Sequence, residues 1–291
     1  MLPPEILKQV RRIEIATNRI VNETMSGRYE SVFKGQGIEF EEVREYQPGD
    51  EVRSIDWNVT ARTGRPFIKR FVEERELTVM LVVDLSRSMA FGSVKELKQR
   101  IATEICAVLA FSAIKNQDKA GLLIVTDQIE CFIPPKKGPK HVLRVIRQAL
   151  SFEPRGHKTS LRLALDYLGH VLHHKSVIFL ISDFFAGDFS VPLAIANKRH
   201  DVIAVHLVDP RQEKLPPVGW IRFEDAEAGG VVSLDSRRGY VRQAYEAWAL
   251  AHKAHLKEMM TSAGVDIVEV RTDQSYVEPL LKFFRMRSMR R

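Results

Sequence analysis

From Leu77 onward, short apolar runs alternate with stretches of helical period, and this alternation limits the fold more than any other feature of the chain. LTVMLVVD, residues 77–84, is nearly continuous hydrocarbon, as expected of a strand covered on both faces. AGLLIVTD, SVIFLISD, DVIAVHLVD and VDIVEVR follow the same plan. Helical patterns separate them at residues 94–116, in KHVLRVIRQAL, in SLRLALDYLGHVLHH, at 189–199, near 238–262 and at 275–286. IECFI reads as a hairpin partner of the second strand, and WIRFEDAEAGGVVSLD as a hairpin insertion near 216–236. Strand and helix in alternation predict an α/β fold, a doubly wound and mostly parallel sheet with helices on both faces.

The first 76 residues follow another pattern. Pro3 and Pro4 suit a first helical turn, and Ile6, Val10, Ile13, Thr17 and Ile20 then recur at helical spacing, which predicts a helix over residues 4–24. SGRYESVFKGQG, residues 26–37, has three glycines and no period. IEFEEVREY and PFIKRFVEE alternate like strands around QPGD, where Pro48 and Gly49 suit a type II turn. The organisation expected is a helix and small β-rich module over residues 1–76, then one α/β domain over 77–291.

Composition excludes several classes. No apolar run approaches the roughly 18–20 residues of a membrane-spanning helix. MLPPEILKQVRR lacks the plan of a secretory signal, and Cys106 and Cys131 form no C-x-x-C pair, so a cytoplasmic protein with reduced thiols is expected. Of the net charge of +7, five positive charges lie in the last ten residues, KFFRMRSMRR, as Lys282, Arg285, Arg287, Arg290 and Arg291. The excess is thus a basic tail and not a nucleic-acid-binding face. A solvated terminus is the default, and docking to an acidic partner or a membrane surface is the alternative.

Ligands of open α/β sheets bind beyond the carboxyl ends of the strands. Asp84 ends one strand and Asp183 another, and Thr159 stands in the loop GHKTS before a helix. Ser86 and Ser88 follow Asp84 at alternate positions. One account of these residues is turn and cap chemistry. The other is a cation site. Two carboxylates and three hydroxyls form an oxygen-only set, which suits magnesium, manganese or calcium and not zinc or copper. Two charges are few for a divalent ion, so open positions would remain for water or an incoming carboxylate.

D-L-S-R-S after an apolar strand, a later loop threonine and a later strand-end S-D resemble the metal-ion-dependent adhesion site (MIDAS) of von Willebrand factor A domains. The resemblance implies metal contact by the hydroxyls of Ser86, Ser88 and Thr159, with Asp84 and Asp183 holding the ion directly or through water. The usual D-x-S-G-S has glycine where this chain has Arg87. REYQPGDEVRSIDWNVTARTGRPFIKRFVEERE resembles the signature of the bacterial domain-of-unknown-function-58 (DUF58) family through Arg44, Tyr46, Gly49, Asp50, Arg53, Ile55, Asp56, Trp57, Ala61, Arg62 and Glu74. That family implies work beside a MoxR-type AAA+ ATPase, and so a non-enzymatic adaptor binding the ATPase or its client through an acidic residue. The charged residues around Trp57 read as an ion-pair lattice clamping the module to the α/β domain, or else as a docking surface.

Other chemistries fit less well. A magnesium-dependent phosphohydrolase of haloacid-dehalogenase type also starts from an aspartate after an apolar strand, and Asp183 with Asp188 imitates its metal-binding end. Its motif needs a second aspartate where Ser86 stands. GHKTS lacks the earlier glycine of a phosphate loop, since position 151 is Ser151. His170, His173 and His174 have helical spacing with no completing ligand, and His252 reads as a hydrogen-bonded, half-buried residue beside Tyr245, Trp248 and Met259.

Overall fold

The computed structural model of the chain describes residues 38–73, 76–93, 96–224 and 230–290. They fall into two compact units divided between Leu77 and Thr78. The helix expected over residues 4–24, the segment 26–37 and Glu74 lie outside the described residues.

In the smaller unit, β1 (Ile38–Glu45) and β2 (Phe67–Glu73) pair antiparallel, with a register shift between Phe40 and Glu42. QPGD forms the expected turn. The Asp50 N–H donates to the Gln47 carbonyl at 3.0 Å, and Gly49 has a φ of 110°, which a side chain would resist. The Asp50 carboxylate takes two guanidinium nitrogens of Arg44, at 2.7 and 2.9 Å. Between the strands stands α1 (Trp57–Thr63), a helix the sequence reading did not single out, whose N-terminus Asp56 caps by accepting from the N–H groups of Asn58 and Val59. A helix of seven residues spans barely two turns, too few for its period to stand out.

Trp57 opens a helix that buries none of its residues, and it is 67% exposed. The ion pairs Arg44–Asp50 and Arg65–Glu45 close within this unit. An exposed side chain contributes little to folding, so Trp57→Ala should change stability by no more than about 0.5 kcal/mol. A thermal melt checks this: a loss of several degrees would contradict the exposed placement.

The larger unit contains β3 (Thr78–Asp84), α2 (Lys98–Lys115), β4 (Lys119–Val125), β5 (Ile129–Lys136), α3 (Pro139–Ser151) and α4 (Leu161–Val171). There follow β6 (Val177–Ser182), α5 (Ser190–Arg199), β7 (Asp201–Val208) and the one-turn α6 (Pro210–Glu213). The chain continues through β8 (Trp220–Glu224), β9 (Val231–Asp235), α7 (Gly239–Ser262), β10 (Asp266–Arg271) and α8 (Val277–Met289). Six strands form one sheet in the order β10-β7-β6-β3-β4-β5. All neighbours pair parallel except β5, which returns antiparallel along β4 and carries Pro134 and Pro135 on the edge. β8 and β9 form the hairpin insertion. This is the mostly parallel α/β architecture expected.

Val79 through Val83 have no exposed surface, because helices cover both faces of the sheet. On one face Met80 and Val82 pack with Leu165, Leu168, Leu193, Leu256 and Met260 from α4, α5 and α7. On the other, Phe284 of α8 meets Phe179 of β6 edge to face at 6.5 Å. Cys106 lies inside α2, where burial pushes its thiol up to about 12 and keeps it unreactive. α2 begins at Lys98, later than the 94 expected, after a 3₁₀ turn at Arg87–Ala90.

The basic tail is partly docked: Lys282, Arg285 and Arg290 are exposed, while Arg287 is half-buried. Most of it is the end of α8, where Phe283 and Phe284 are buried. Arg287 bonds Asp201 at 2.6 Å and Asp266 at 3.0 Å, and Arg290 bonds Asp266 at 3.1 Å. Those aspartates start β7 and β10, so this basic cluster lies at the end of the sheet opposite Asp84.

Candidate functional site

Asp84 is the last residue of β3, and Asp183 follows the last residue of β6. The two strands are neighbours, with β4 on the far side of β3, so the chain leaves β3 in one direction and β6 lies in the other. This is the switch point of a doubly wound sheet, where a crevice opens between the diverging connections.

Both carboxylates are fully buried. One Asp84 oxygen accepts the N–H of Ser86 at 2.9 Å, and the other accepts the hydroxyl of Ser182 at 2.7 Å. The hydroxyls of Ser86 and Ser88 stand 3.1 Å apart, and Ser88 donates to Asp183 Oδ1 at 3.2 Å. The structure thus brings four of the five expected residues into one connected cluster. Phe184, the residue after Asp183, has a left-handed φ of 58°, a conformation costing a bulky residue about 1–2 kcal/mol. Its N–H bonds back to the Ser182 hydroxyl at 2.9 Å, while the N–H of Phe185 donates to Asp183 Oδ1 at 3.3 Å.

Thr159 is buried on the adjoining loop. Arg87 N–H donates to the His157 carbonyl at 3.0 Å, which ties this loop to the D-L-S-R-S turn. Ser160 N–H donates to the Thr126 carbonyl at 3.0 Å, and its hydroxyl caps α4, so Ser160 and not Thr159 is the cap. One oxygen of Glu130 collects the Thr126 hydroxyl at 2.9 Å and the N–H groups of Arg155 at 3.0 Å and Gly156 at 2.6 Å. A Cβ on Gly156 would collide with Thr126 Oγ1 and Asp127 Oδ1. Gly156→Ala should therefore shift the loop and destabilise the protein by about 1–3 kcal/mol. A thermal melt unchanged from wild type would show the loop to be pliant.

Three residues of the site escaped the sequence reading. Ser182 holds Asp84, as above. Asp209 follows the last residue of β7 and accepts from the Ser93 hydroxyl, the Ser93 N–H at 2.8 Å and the Thr272 hydroxyl at 3.1 Å, fixing the chain just past D-L-S-R-S. Its position at a strand end, like those of Asp84 and Asp183, was the available signal. Lys98 is fully buried, with its ammonium 2.5 Å from Asp183 Oδ2. It stands three residues before Ile101 and seven before Ile105, on the stripe that faces the core, which is the signal it gave.

Other expected residues are elsewhere. Asp188 is exposed and accepts the Ser190 N–H at 2.9 Å, so it does not join Asp183. His170, His173 and His174 are exposed. Among the described residues, no three or more His, Cys, Asp or Glu group as a metal centre, so an ion at Asp84 and Asp183 would rest on hydroxyls as well. His252 is held by stacking and not by hydrogen bonding. Its ring lies 4.5 Å from that of Phe185 with 3° between the planes, and its Nε2 has no hydrogen-bond partner. Phe185, His252, Trp248, Tyr245 and Phe223 follow one another in ring contact, a ladder that starts two residues from Asp183.

The electrostatics of the cluster call for positive charge. Burial, and then the charge of Asp183, push the Asp84 carboxyl up to about 7, against the hydrogen bonds from Ser182 and Ser86. The oxygen-only donors fit a hard cation in kind, and Lys98 already supplies one positive charge to Asp183. Because the folded pKa of Asp84 exceeds its unfolded value of about 3.9, the folded state keeps a proton that the unfolded chain releases between about pH 4 and 7. This contribution to stability is present at low pH and lost as pH rises through 7. In chelator, Asp84→Asn should thus gain on wild type across that window, reaching on the order of 2–4 kcal/mol by pH 8. Melts at pH 5 and pH 8 check it, and a gap that narrows with rising pH would contradict it.

The sheet order and the switch-point cluster define a class: a doubly wound, mostly parallel α/β module with a carboxylate and hydroxyl site at its carboxyl end. The chain belongs to the family described as "Protein of unknown function DUF58", whose pattern matches residues 42–255. It is 30% identical over 287 residues to the Mycobacterium tuberculosis protein Rv1480, covering 98% of this chain and 90% of that one. It is also 30% identical over 105 residues to Bacillus subtilis YeaD, covering 36% of this chain and 24% of YeaD. Among solved structures, an aerotolerance-related membrane protein from Bacteroides fragilis superposes with a TM-score of 0.51 at 14% identity, covering 74% of this chain and 100% of that one. Identity at that level speaks to the fold alone. Among the described residues, no helix is long and apolar enough to cross a membrane.

Proposed function

We propose that this protein is a binding module and not an enzyme, and that its switch-point site holds a divalent cation, magnesium or else manganese or calcium. Ser86, Ser88 and Thr159 would contact the ion through hydroxyls, and Asp84 and Asp183 directly or through water. Such an ion supplies a Lewis-acidic bridge to an acidic side chain of a protein partner. The partner proposed is a MoxR-type AAA+ ATPase or its client, with this chain serving as adaptor in assembly or maturation of a complex.

One observation carries the reading: Asp84, Ser86, Ser88 and Asp183 make a connected, all-oxygen cluster of two buried carboxylates at the place where doubly wound sheets bind ligands. The aromatic ladder supports it, since Trp248 is half exposed beside the site and aromatics of this kind anchor protein interfaces. The phosphohydrolase alternative gains no such support. Ser86 stands where that chemistry needs its acid and base, and Asp188 is exposed and turned to the Ser190 N–H.

The test is a titration of the ATPase against wild type, Asp84→Ala and Ser88→Ala, with and without magnesium. Removing one charge from a desolvated contact costs about 2–5 kcal/mol, so Asp84→Ala should weaken binding roughly 30-fold or more, and Ser88→Ala less. Chelator should weaken wild type and leave Asp84→Ala nearly unchanged. Equal affinities under all conditions, with every protein folded, would refute the proposal.

A further inference from the structure

Arg87 stands where the usual D-x-S-G-S has glycine, between two of the hydroxyls proposed to hold the ion. Its N–H is fixed on the His157 carbonyl at 3.0 Å, while its side chain is exposed. Lys158, also exposed, directly precedes Thr159, so each of the three proposed hydroxyl ligands has a cation as its neighbour in the chain. R-G-H-K-T-S-L-R, residues 155–162, carries three cations and no acid, and Arg155, Lys158 and Arg162 are all exposed. Among the described residues, the side chains of Arg87, Arg155 and Lys158 have no hydrogen-bond or ion-pair partner. Arg162 donates to the Asp188 carbonyl at 3.3 Å, which carries this basic wall over to the loop after Asp183.

Most acids nearby have their oxygens committed. Glu130 collects the N–H groups of Arg155 and Gly156 and the Thr126 hydroxyl, and Asp127 accepts the His157 N–H at 3.1 Å. Asp188 accepts the Ser190 N–H, and the buried Asp209 accepts from Ser93, Arg211 and Thr272. Glu153, two residues before Arg155, is exposed. These carboxylates weaken the field of the cations without using up their donors. The other side of the crevice is of another kind. Phe185, two residues after Asp183, stacks on His252 and lies 6.1 Å from the half-exposed Trp248. Cations thus accompany the hydroxyls of the site, and aromatic rings accompany Asp183.

We infer that Arg87, with Lys158 and Arg155, reads further acidic groups on the partner. The occupant of the crevice is a polypeptide segment in which the acid at the ion is flanked by more Asp or Glu on the basic side and by an apolar or aromatic residue on the side of Trp248. This rests on the proposed metal-dependent binding and adds to it the sequence chemistry of the partner. Arg87 sets specificity, because its planar fork of donors matches a carboxylate with two parallel bonds where Lys158 offers a point charge. A bilayer surface or a nucleic-acid backbone carries charge along its whole length and would press anions against Asp84, Asp183 and Asp188. A polypeptide places its acids on one wall alone.

The test is fluorescence anisotropy with two labelled peptides. In one, an aspartate is flanked by glutamates and a tryptophan; in the other, glutamine replaces each glutamate. Each exposed ion pair contributes roughly 1.5- to 5-fold in affinity, so in magnesium the wild type should prefer the glutamate peptide by about threefold to a hundredfold. Sodium chloride at about 0.5 M should shrink that preference. The double variant Arg87→Gln, Lys158→Gln changes exposed, unbonded side chains, keeps the fold and should lose most of the preference. Arg87→Lys, which keeps the charge and loses the fork, should retain part of it. The preference compares two peptides on one protein, so any change in magnesium affinity cancels. Equal affinities of the peptides for wild type, or a preference kept by the double variant, would overturn the inference; the metal reading would still stand if chelator abolished binding of both. A preference that persists in chelator would uphold the basic wall and count against the ion. Binding of neither peptide in magnesium would overturn both. Tighter binding of phosphatidylserine vesicles or of a single-stranded oligonucleotide than of the glutamate peptide would overturn the assignment to a protein segment.

Discussion

Asp84 and Asp183 are buried side by side, and two like charges so placed lose several kcal/mol each in desolvation before repulsion is counted. Much of the local structure answers that cost. Lys98 brings a cation into the core from the start of α2. Ser182 and the N–H of Ser86 satisfy Asp84, and Ser88 with the N–H of Phe185 satisfies one oxygen of Asp183. The backbone at Phe184 is held in a left-handed turn beside them. Strain and buried charge gathered at one strand end are what a binding site looks like, since a fold selected for stability alone would have apolar residues there.

The loops around the cluster are held from outside it. Glu130, on the antiparallel strand β5, gathers backbone N–H groups of the 155–156 segment and so places the loop of Thr159. Asp209, beyond β7, does the same for the chain after Met89 by binding both the hydroxyl and the N–H of Ser93. Each restraint is a carboxylate at or near the carboxyl end of the sheet. Acidic residues there divide into those turned into the crevice and those that hold its walls.

That division explains what could be seen in the sequence. The apolar runs ending in Asp84 and Asp183 made the parallel sheet and the place of the site legible, because burial on both faces leaves an unbroken hydrocarbon run. QPGD was legible because its backbone demands glycine. Asp209 looks the same in sequence as Asp84, and only the fold shows that its oxygens are taken up by Ser93 and Thr272. Lys98 gave only its place on the core-facing stripe, since its partner Asp183 lies 85 residues further along the chain. The short α1 and the docked Arg287 were missed for a related reason. Their places are set by partners outside the element itself, Phe67 N–H on the Thr60 hydroxyl in one case and the distant Asp201 and Asp266 in the other.

Pro134 and Pro135 lie on β5, the strand that closes one side of the main sheet. Neither residue has an N–H, so a further strand arriving at that border would find gaps in the row of donors it must pair with. The register between β4 and β5 also shifts twice, between Ala120 and Leu122 and between Ile124 and Val125, and such bulges twist a border away from a flat approach. The sheet is thus guarded on this flank against growth by strand addition, the route by which exposed strands template fibres or swap between copies.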